Sequence, residues 1–565
     1  MNTGNTRIIS HRFFAALCLV LAIVFFFSGC GRITSVVSRS SEQEDSGENE
    51  NSNLPDPRDS FYGSMVSCLL KDDQTASFTY SLPRIPASDD SMIYLFAFDL
   101  YETSAFPENF NKEPIASTTK KTTCELEWDF ESGQLFQKFV PALLQDGEYI
   151  PLSAGGCITN PELLADNLGS VPKPESKKGL LLDPQMLKTP MLTDLGVKYA
   201  IYNIPLSHIV GETTNEAIPT ILYEYKGETY KFNGASINGY DDLFTYLTKE
   251  GMNSTAIILN DWNDNCLELI HPMARNKESG AHYYAINTAE REGCRYLEAI
   301  ACFLTERYSG KEYGLVSNWV IANEINQYKM WNYMETEDVD FYAAEFEKAM
   351  RIFNNAAKSN YADANVYFSI DHDWNNNGGD NGDHYNARDI LVAINDIARE
   401  KGNYDWGIAI HPYPDPLTRV DYWTETYDKT PEAPILTMMN LSTLTDVLEE
   451  EEFLDRSGEV RSITVTELGF SSFWGERIQA AAFAYCYFIL DANPYIDSFI
   501  MNRQTDAVEE VKQGLAFGIY DVNQTPKYIY DVFKYIDTDK ADEYTDFMLE
   551  ILRADSLEEA LSWAE

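Results

Sequence analysis

Two apolar runs in the second half of the chain have the same shape. Residues 319–322 are apolar without alternation and break into Asn323, Glu324 and Asn326, in the stretch S-N-W-V-I-A-N-E-I-N-Q-Y. Residues 462–472, S-I-T-V-T-E-L-G-F-S-S, break in the same way at Glu467. Short continuous apolar runs suit strands of a parallel sheet covered on both faces, and such strands present functional groups at their C-terminal ends. Similar runs occur at 197–204, 255–259, 283–286, 366–370, 407–410 and 498–501. Between them, apolar residues recur at helical spacing: Leu243, Phe244 and Leu247; Tyr296, Leu297, Ile300 and Leu304; Tyr342, Phe346, Met350 and Phe353; Ile390, Leu391, Ile394 and Ile397. Further helical stripes contain Leu444 and Val447, then Ile478, Ala482, Tyr485 and Ile489, then Ile529, Val532 and Phe533. A hairpin is predicted over 221–232, turning at Lys226-Gly227. Eight strand–helix units predict an α/β fold, a (β/α)8 TIM barrel over residues 190–540.

The texture before the barrel is different. Residues 77–81, 92–100, 124–130 and 139–152 are strand-like and separated by turn residues, which predicts a smaller β-sandwich-like domain over 60–180. Two readings of it are open: a carbohydrate-binding module, or a structural spacer packed on the barrel; Trp128 alone is no binding platform. Residues 541–565 are expected to be a C-terminal helical tail. At the other end, Arg7, His11 and Arg12 precede an apolar run, 13–27, as in a secretory signal. Its end, Phe27-Ser28-Gly29-Cys30, resembles the lipobox of bacterial lipoproteins, with Phe27 where a leucine is usual. The resemblance implies cleavage after residue 29 and lipidation of Cys30; the alternative is an uncleaved anchor. Either one tethers the protein to the outer face of a membrane. Residues 31–59, rich in Ser, Glu, Asp and Asn, read as a disordered tether.

Composition narrows the partners. The chain has 565 residues and a formal charge of −46, from 43 basic and 89 acidic side chains. Such a surface repels nucleic-acid phosphates, so nucleic acid is excluded as a partner. Nine cysteines show no C-x-x-C pair and no Cys/His metal spacing. Buried thiols are expected, with a pair between Cys68 and Cys124 or Cys157 left open. The stretch 371–384, D-H-D-W-N-N-N-G-G-D-N-G-D-H, is rich in oxygen ligands, but Asn376 stands where an EF-hand loop needs glycine. It reads as a polar loop rimming a groove, with calcium as the alternative; no metal and no organic cofactor are expected.

The predicted strand ends collect Asn260, Asp261, Trp262, Asn323, Glu324, Asp371, His372, His411, Tyr413, Glu467, Asn502 and Arg503. Polar groups mixed with aromatic rings suit sugars, whose hydroxyls need partners and whose ring faces stack. Glycoside hydrolysis needs two carboxyl groups, one protonated and one ionised, and strands four and seven lie opposite each other in an eight-stranded barrel. W-V-I-A-N-E-I-N followed by V-T-E-L-G-F resembles the clan of (β/α)8 retaining glycosidases with Asn-Glu on strand four and Glu on strand seven (clan A). It is similar also to a bacterial glycosidase-like barrel family of unknown function. The resemblance covers residues 195–536. It implies Glu324 as acid/base, Glu467 as nucleophile, Asn323 on the sugar 2-hydroxyl, Tyr413 as a hydrogen-bond donor to the nucleophile and His411 beside it. At the end of strand eight, where the clan often has a tryptophan, this chain has Met501-Asn502-Arg503. Trp262, Trp331, Trp374 or Trp474 would then supply stacking from loops. The expectation is a retaining hydrolase of β-linked poly- or oligosaccharides. The rival is a glycan-binding lipoprotein without catalysis. A metal-dependent barrel hydrolase is disfavoured because residues 199–204, Y-A-I-Y-N-I, lack H-x-H.

Overall fold

The computed structural model describes residues 61–378 and 382–564. The expected signal peptide, Cys30 and the whole of the tether therefore lie outside the described residues. Eight parallel strands close into a barrel: β1 (Lys178–Leu181), β2 (Tyr199–Pro205), β3 (Asn253–Leu259), β4 (Asn318–Ile321), β5 (Asn365–Asp371), β6 (Trp406–His411), β7 (Ile463–Leu468) and β8 (Ile496–Met501). β8 returns to β1 with Phe499 opposite Lys178 and Met501 opposite Leu180.

Side chains alternate between two cores, as the period-2 geometry of strands requires. Tyr199, Ile201, Ile257, Leu259, Val320, Tyr367, Ala409 and Ile500 fill the barrel interior as one buried cluster. Their neighbours Ala200, Ile258, Ile321, Phe368, Ile408 and Phe499 belong to the larger core under the helices. That core is covered by α1 (Gly234–Lys249), α2 (Arg291–Arg307), α3 (Val339–Asn360), α4 (Ala387–Lys401), α5 (Ser442–Leu448), α6 (Glu476–Ala492) and α7 (Ile529–Tyr535). The hairpin Ile221–Tyr225 and Glu228–Phe232 forms where expected.

The strand count is eight, but one of the eight expected members is absent and one unexpected strand stands in its place. The barrel opens at β1, inside the stretch assigned to the β-rich domain, so the boundary at 180 moves towards the N-terminus. Residues 283–286, expected as the third strand, are not in the sheet; they form only isolated bridges, Ile270 with Ile286 and Tyr284 with Tyr333. β1 hides from an apolar-pattern reading because it is four residues long and begins with a charge. Lys178 is nonetheless 1% exposed, with its ammonium 2.6 Å from Asp537 Oδ1 and donating to the carbonyls of Phe533 and Lys534. The two differences cancel, so Glu324 still follows the fourth strand and Glu467 lies on the seventh.

The N-terminal part is two antiparallel sheets. One contains Ser64–Leu70, Thr75–Ser81 and Thr123–Asp129; the other contains Met92–Asp99, Ala116–Thr119, Gln137–Gln145 and Glu148–Pro151, with Gly156–Cys157 alongside. In Thr123–Asp129 the residues Cys124, Leu126 and Trp128 face in while Glu125 and Glu127 face out. Trp128 is buried against Phe139. The sheets share one hydrophobic core with the barrel, and Arg295 of α2 bridges the two parts, 2.6 Å from Asp99 and 2.9 Å from Glu298. The chain ends in short helices, the last of which, Leu557–Ser562, offers the Ala560 carbonyl to the Tyr485 hydroxyl at 2.5 Å. The seven described cysteines are free thiols, so the pairing left open for Cys68 does not form.

Candidate active site

The end of β4 is bent into place by backbone that ordinary side chains avoid. Ala322 (φ 62°) and Glu324 (φ 39°) are both left-handed, on either side of the half-buried Asn323. Such residues cost on the order of 1–3 kcal/mol each and persist only where their surroundings hold them. Here the Ala322 amide donates to the Ile258 carbonyl at 3.0 Å, and the Ile325 amide to the Ser369 carbonyl at 2.9 Å. The Glu324 amide donates to Ser369 Oγ at 3.1 Å. The bend brings Glu324 Oε1 within 2.8 Å of Nδ1 of His411, the last residue of β6. His411 Nε2 lies 3.1 Å from Thr466 Oγ1 and 3.3 Å from Ser369 Oγ. Both His411 nitrogens are therefore engaged and the ring is fixed.

Burial pushes the Glu324 carboxyl above the usual carboxylate range. The hydrogen bond and charge of His411 oppose this, the negative charges of Asp371 and Glu467 add to it, and the net direction is up. Burial alone would lower His411. The hydrogen bond to Glu324 and the charges of Glu467, Glu324 and Asp371 outweigh it and raise His411 above its ordinary value. Both groups are thus raised above their ordinary values, Glu324 by burial in spite of His411 and His411 by the neighbouring carboxylates in spite of burial.

Glu467 is positioned by a bulge. Val465 pairs with Phe499 and Leu468 with Met501, so two residues of β7 lie opposite the single residue Ile500 of β8. The extra residue lets consecutive side chains both reach groups at the mouth: Thr466 meets His411, and Glu467 meets Tyr413. The Tyr413 hydroxyl donates to Glu467 Oε1 at 3.0 Å, and Asn502 Nδ2 donates to the same oxygen at 3.1 Å. Asn502 Nδ2 is also 3.0 Å from the Tyr413 hydroxyl. Burial, then the Glu467 charge, pushes the Tyr413 hydroxyl well above its ordinary pKa, so it stays a donor. The glycine of T-E-L-G-F has a steric reason: a Cβ on Gly469 would lie 2.3 Å from the Asn502 carbonyl oxygen. In both glutamates Oε1 is engaged, while Oε2 makes no hydrogen bond among the described residues.

Glu324, Glu467, His411, Tyr413 and Asn502 therefore form one connected set. Other expected contacts fall elsewhere. Asn260 is 3% exposed and its Nδ2 donates to the carbonyls of Leu269, Tyr284 and Ala285, so it ties a loop down instead of facing a substrate. Asp371 is likewise enclosed: Oδ1 accepts from Asn326 at 2.5 Å and Oδ2 from Gln327 at 2.6 Å, so it acts on the site through its charge. His372 turns towards Asp373, with Nε2 4.0 Å from Oδ1. Trp374 is fully buried, with Nε1 donating to the Pro431 carbonyl, and offers no stacking face. Trp262 is half-buried, edge-on to Tyr284 and bonded to Asp264. Trp331 stacks on His282 with ring centres 4.5 Å apart. Trp474 is 63% exposed beside Phe473 in a short turn that follows β7. Among the described residues no cluster of three or more His, Cys, Asp or Glu side chains is disposed to hold a metal.

Sequence reading missed Ser369 and Thr466, which fix His411. Ser369 has a recognisable signal: a polar residue inside an apolar strand, in phase with Asp371. Thr466 has none, because the bulge breaks its phase. Tyr283 was also missed; it packs against the barrel-interior cluster, and burial, then the charges of Asp261 and Glu467, raise its pKa.

These features define a class, a TIM barrel with two strand-end glutamates. Solved structures similar to the chain include a family 39 glycoside hydrolase from Bacteroides cellulosilyticus WH2, 14% identical, with a TM-score of 0.43 over 85% of this chain and 83% of that one. A family 1 β-glucosidase from Thermotoga maritima is 13% identical, with a TM-score of 0.36 over 65% of this chain and 85% of that one. The GH53 catalytic domain from Ignisphaera aggregans is 12% identical, with a TM-score of 0.39 over 65% of this chain and 99% of that one. No curated protein sequence matches the chain. Residues 170–560 match the family of unknown function DUF5722, and the chain belongs to that family.

Proposed function

We propose that the protein is a retaining glycoside hydrolase acting on β-linked poly- or oligosaccharides. The observation that carries this reading is the unlike setting of two carboxyl groups in one site. Glu324 is half-buried, raised in pKa and bonded to His411; Glu467 receives two donors on one oxygen; each keeps its other oxygen unpartnered. In the first step protonated Glu324 gives its proton to the glycosidic oxygen as that bond breaks, and Glu467 Oε2 bonds to the anomeric carbon. In the second step Glu324, now a carboxylate, takes a proton from water, whose oxygen displaces Glu467 and releases the sugar. Asn323 and the unpartnered Oδ1 of buried Asn502 receive substrate hydroxyls. The exposed Phe473 and Trp474 offer ring faces at the rim. The proposal includes a tether, with lipidated Cys30 holding the barrel outside the cell membrane on residues 31–59.

One observation favours a second reading, glycan binding without cleavage: Asn502 occupies the place where the clan often has a tryptophan floor. The test is hydrolysis of a panel of plant and microbial glycans by wild type, Glu324→Gln and Glu467→Ala. The hydrolase reading requires activity in wild type and its loss in both variants. Equal rates in all three, or binding with no cleavage of any glycan, would sink it.

A further inference from the structure

A cavity of about 500 Å³ opens at the C-terminal ends of β1 and β2 and the segment after β8. Its size falls within the range of pockets that enclose small ligands, about 300–1,000 Å³. Asp183, Tyr202, Asn203, Tyr240, Arg503 and Gln504 are on its wall. Arg503 directly follows Asn502, the donor to Glu467, so the cavity lies on the nucleophile's side of the site. No residue of β4, β5, β6 or β7 lines it, so its link to the pair runs through the segment that follows Asn502.

Three features of the wall point to a ligand. Gln504 is completely buried, and its Oε1 accepts from the Asp183 amide at 2.9 Å, which fixes the orientation of its side-chain amide. Gln504 Nε2 is then left with no partner. Two residues earlier, Asn502 has the complementary defect, a buried Oδ1 with no partner. Buried polar atoms without partners are unfavourable and uncommon, and here a free acceptor and a free donor follow one another away from Glu467. Second, Tyr202 and Tyr240 meet edge to face, ring centres 6.1 Å apart at 64°, and give the cavity an aromatic wall. Third, the charges are already balanced: Arg503 faces Glu510 at 3.5 Å and Asp506 faces Lys527 at 3.0 Å, leaving Asp183. An anionic ligand would meet no unengaged cation of these and one carboxylate.

We infer that this cavity is a glycone-side subsite for a neutral, hydroxyl-bearing sugar unit adjoining the one attacked by Glu467, with Gln504 Nε2 donating to a sugar oxygen and Tyr202 stacking on the ring. The inference rests on the glycosidase reading and names its substrate class: chains of at least two neutral sugars rather than uronates.

The test compares 4-nitrophenyl β-glycosides of mono- and disaccharides in the glucose, xylose and galactose series, together with glucuronide counterparts. In the series that wild type cleaves, the disaccharide should be preferred by about tenfold or more in kcat/KM, the scale of a gained hydrogen bond and ring contact. Tyr202→Ala and Gln504→Glu should bring that ratio towards one, with the monosaccharide glycoside cleaved at the wild-type rate. Gln504→Glu keeps an acceptor for the Asp183 amide while removing the donor. A ratio unchanged in both variants, or a preference for the glucuronide, overturns the inference. If wild type cleaves nothing, the hydrolase reading fails and the subsite is judged by calorimetric titration with the corresponding neutral trisaccharides. Binding weakened about tenfold by Tyr202→Ala supports the subsite, and no binding of any trisaccharide overturns it.

Discussion

Replacing Tyr413 by phenylalanine removes one of the two donors on Glu467 Oε1 and little else, because the ring keeps its stack on Phe517 at 5.9 Å and Asn502 still donates at 3.1 Å. The two chemical steps respond differently. During glycosylation the Glu467 carboxylate loses charge as it bonds to carbon, so the lost donor also relieves a restraint on the nucleophile. During deglycosylation Glu467 leaves as a carboxylate, and the donor stabilises the charge that develops. A hydrogen bond to a charged group contributes about 1.5–3 kcal/mol. At about 1.36 kcal/mol per factor of ten, deglycosylation should slow roughly 10- to 150-fold, with a smaller change in glycosylation. The assay is rapid-quench or stopped-flow hydrolysis of an activated aryl glycoside. Tyr413→Phe should show a burst of aglycone, one equivalent per enzyme, followed by a slow steady state. A folded variant with kcat within twofold of wild type and no burst would refute the reasoning.

His411→Asn removes the neighbour whose bond and charge lower the Glu324 pKa, leaving burial, Asp371 and Glu467 to raise it. The alkaline limb of the kcat/KM profile, where the proton donor is lost, should therefore move to higher pH; a move to lower pH would make His411 rather than Glu324 the holder of the catalytic proton. Glu324→Gln should lose activity on substrates with poor leaving groups by several orders of magnitude and far less on activated aryl glycosides, which need no acid in the first step; equal losses on both would contradict the assigned role. Lys178→Ala leaves the half-buried Asp537 without its partner and should cost up to about 3–5 kcal/mol of stability, read from denaturant unfolding. Cys30→Ser should abolish metabolic labelling by a fatty acid and release the protein from membranes; retention of both would remove the lipid tether.

The barrel was legible wherever strands were continuous and apolar. β3 and β6, buried along their whole length, were readable from their apolar cores. β1 was not, because its first residue is a lysine whose burial depends on carbonyls of Phe533 and Lys534, more than 350 positions away. Residues 283–286 carried a strand-like pattern for another reason: Tyr283 packs against the barrel interior and Tyr284 bridges to Tyr333, so they are buried without entering the sheet. The pair Glu324 and Glu467 was legible because each ends an apolar run. The left-handed turn around Asn323 and the bulge at Glu467 were not, since no glycine marks the first and pairing register alone reveals the second. The same limit explains Asn260 and Asp371. A polar residue at a strand end reads as a site residue until its partners are known, and both are enclosed by carbonyls or amides of this chain.

The most direct test of the central claim is capture of the covalent intermediate. Wild-type protein incubated with activated 2-deoxy-2-fluoroglycosides of several sugars should gain the mass of one glycosyl unit, and peptide mapping should locate it on Glu467, with no adduct in Glu467→Ala. An adduct on another residue, or none with any sugar, would contradict the account.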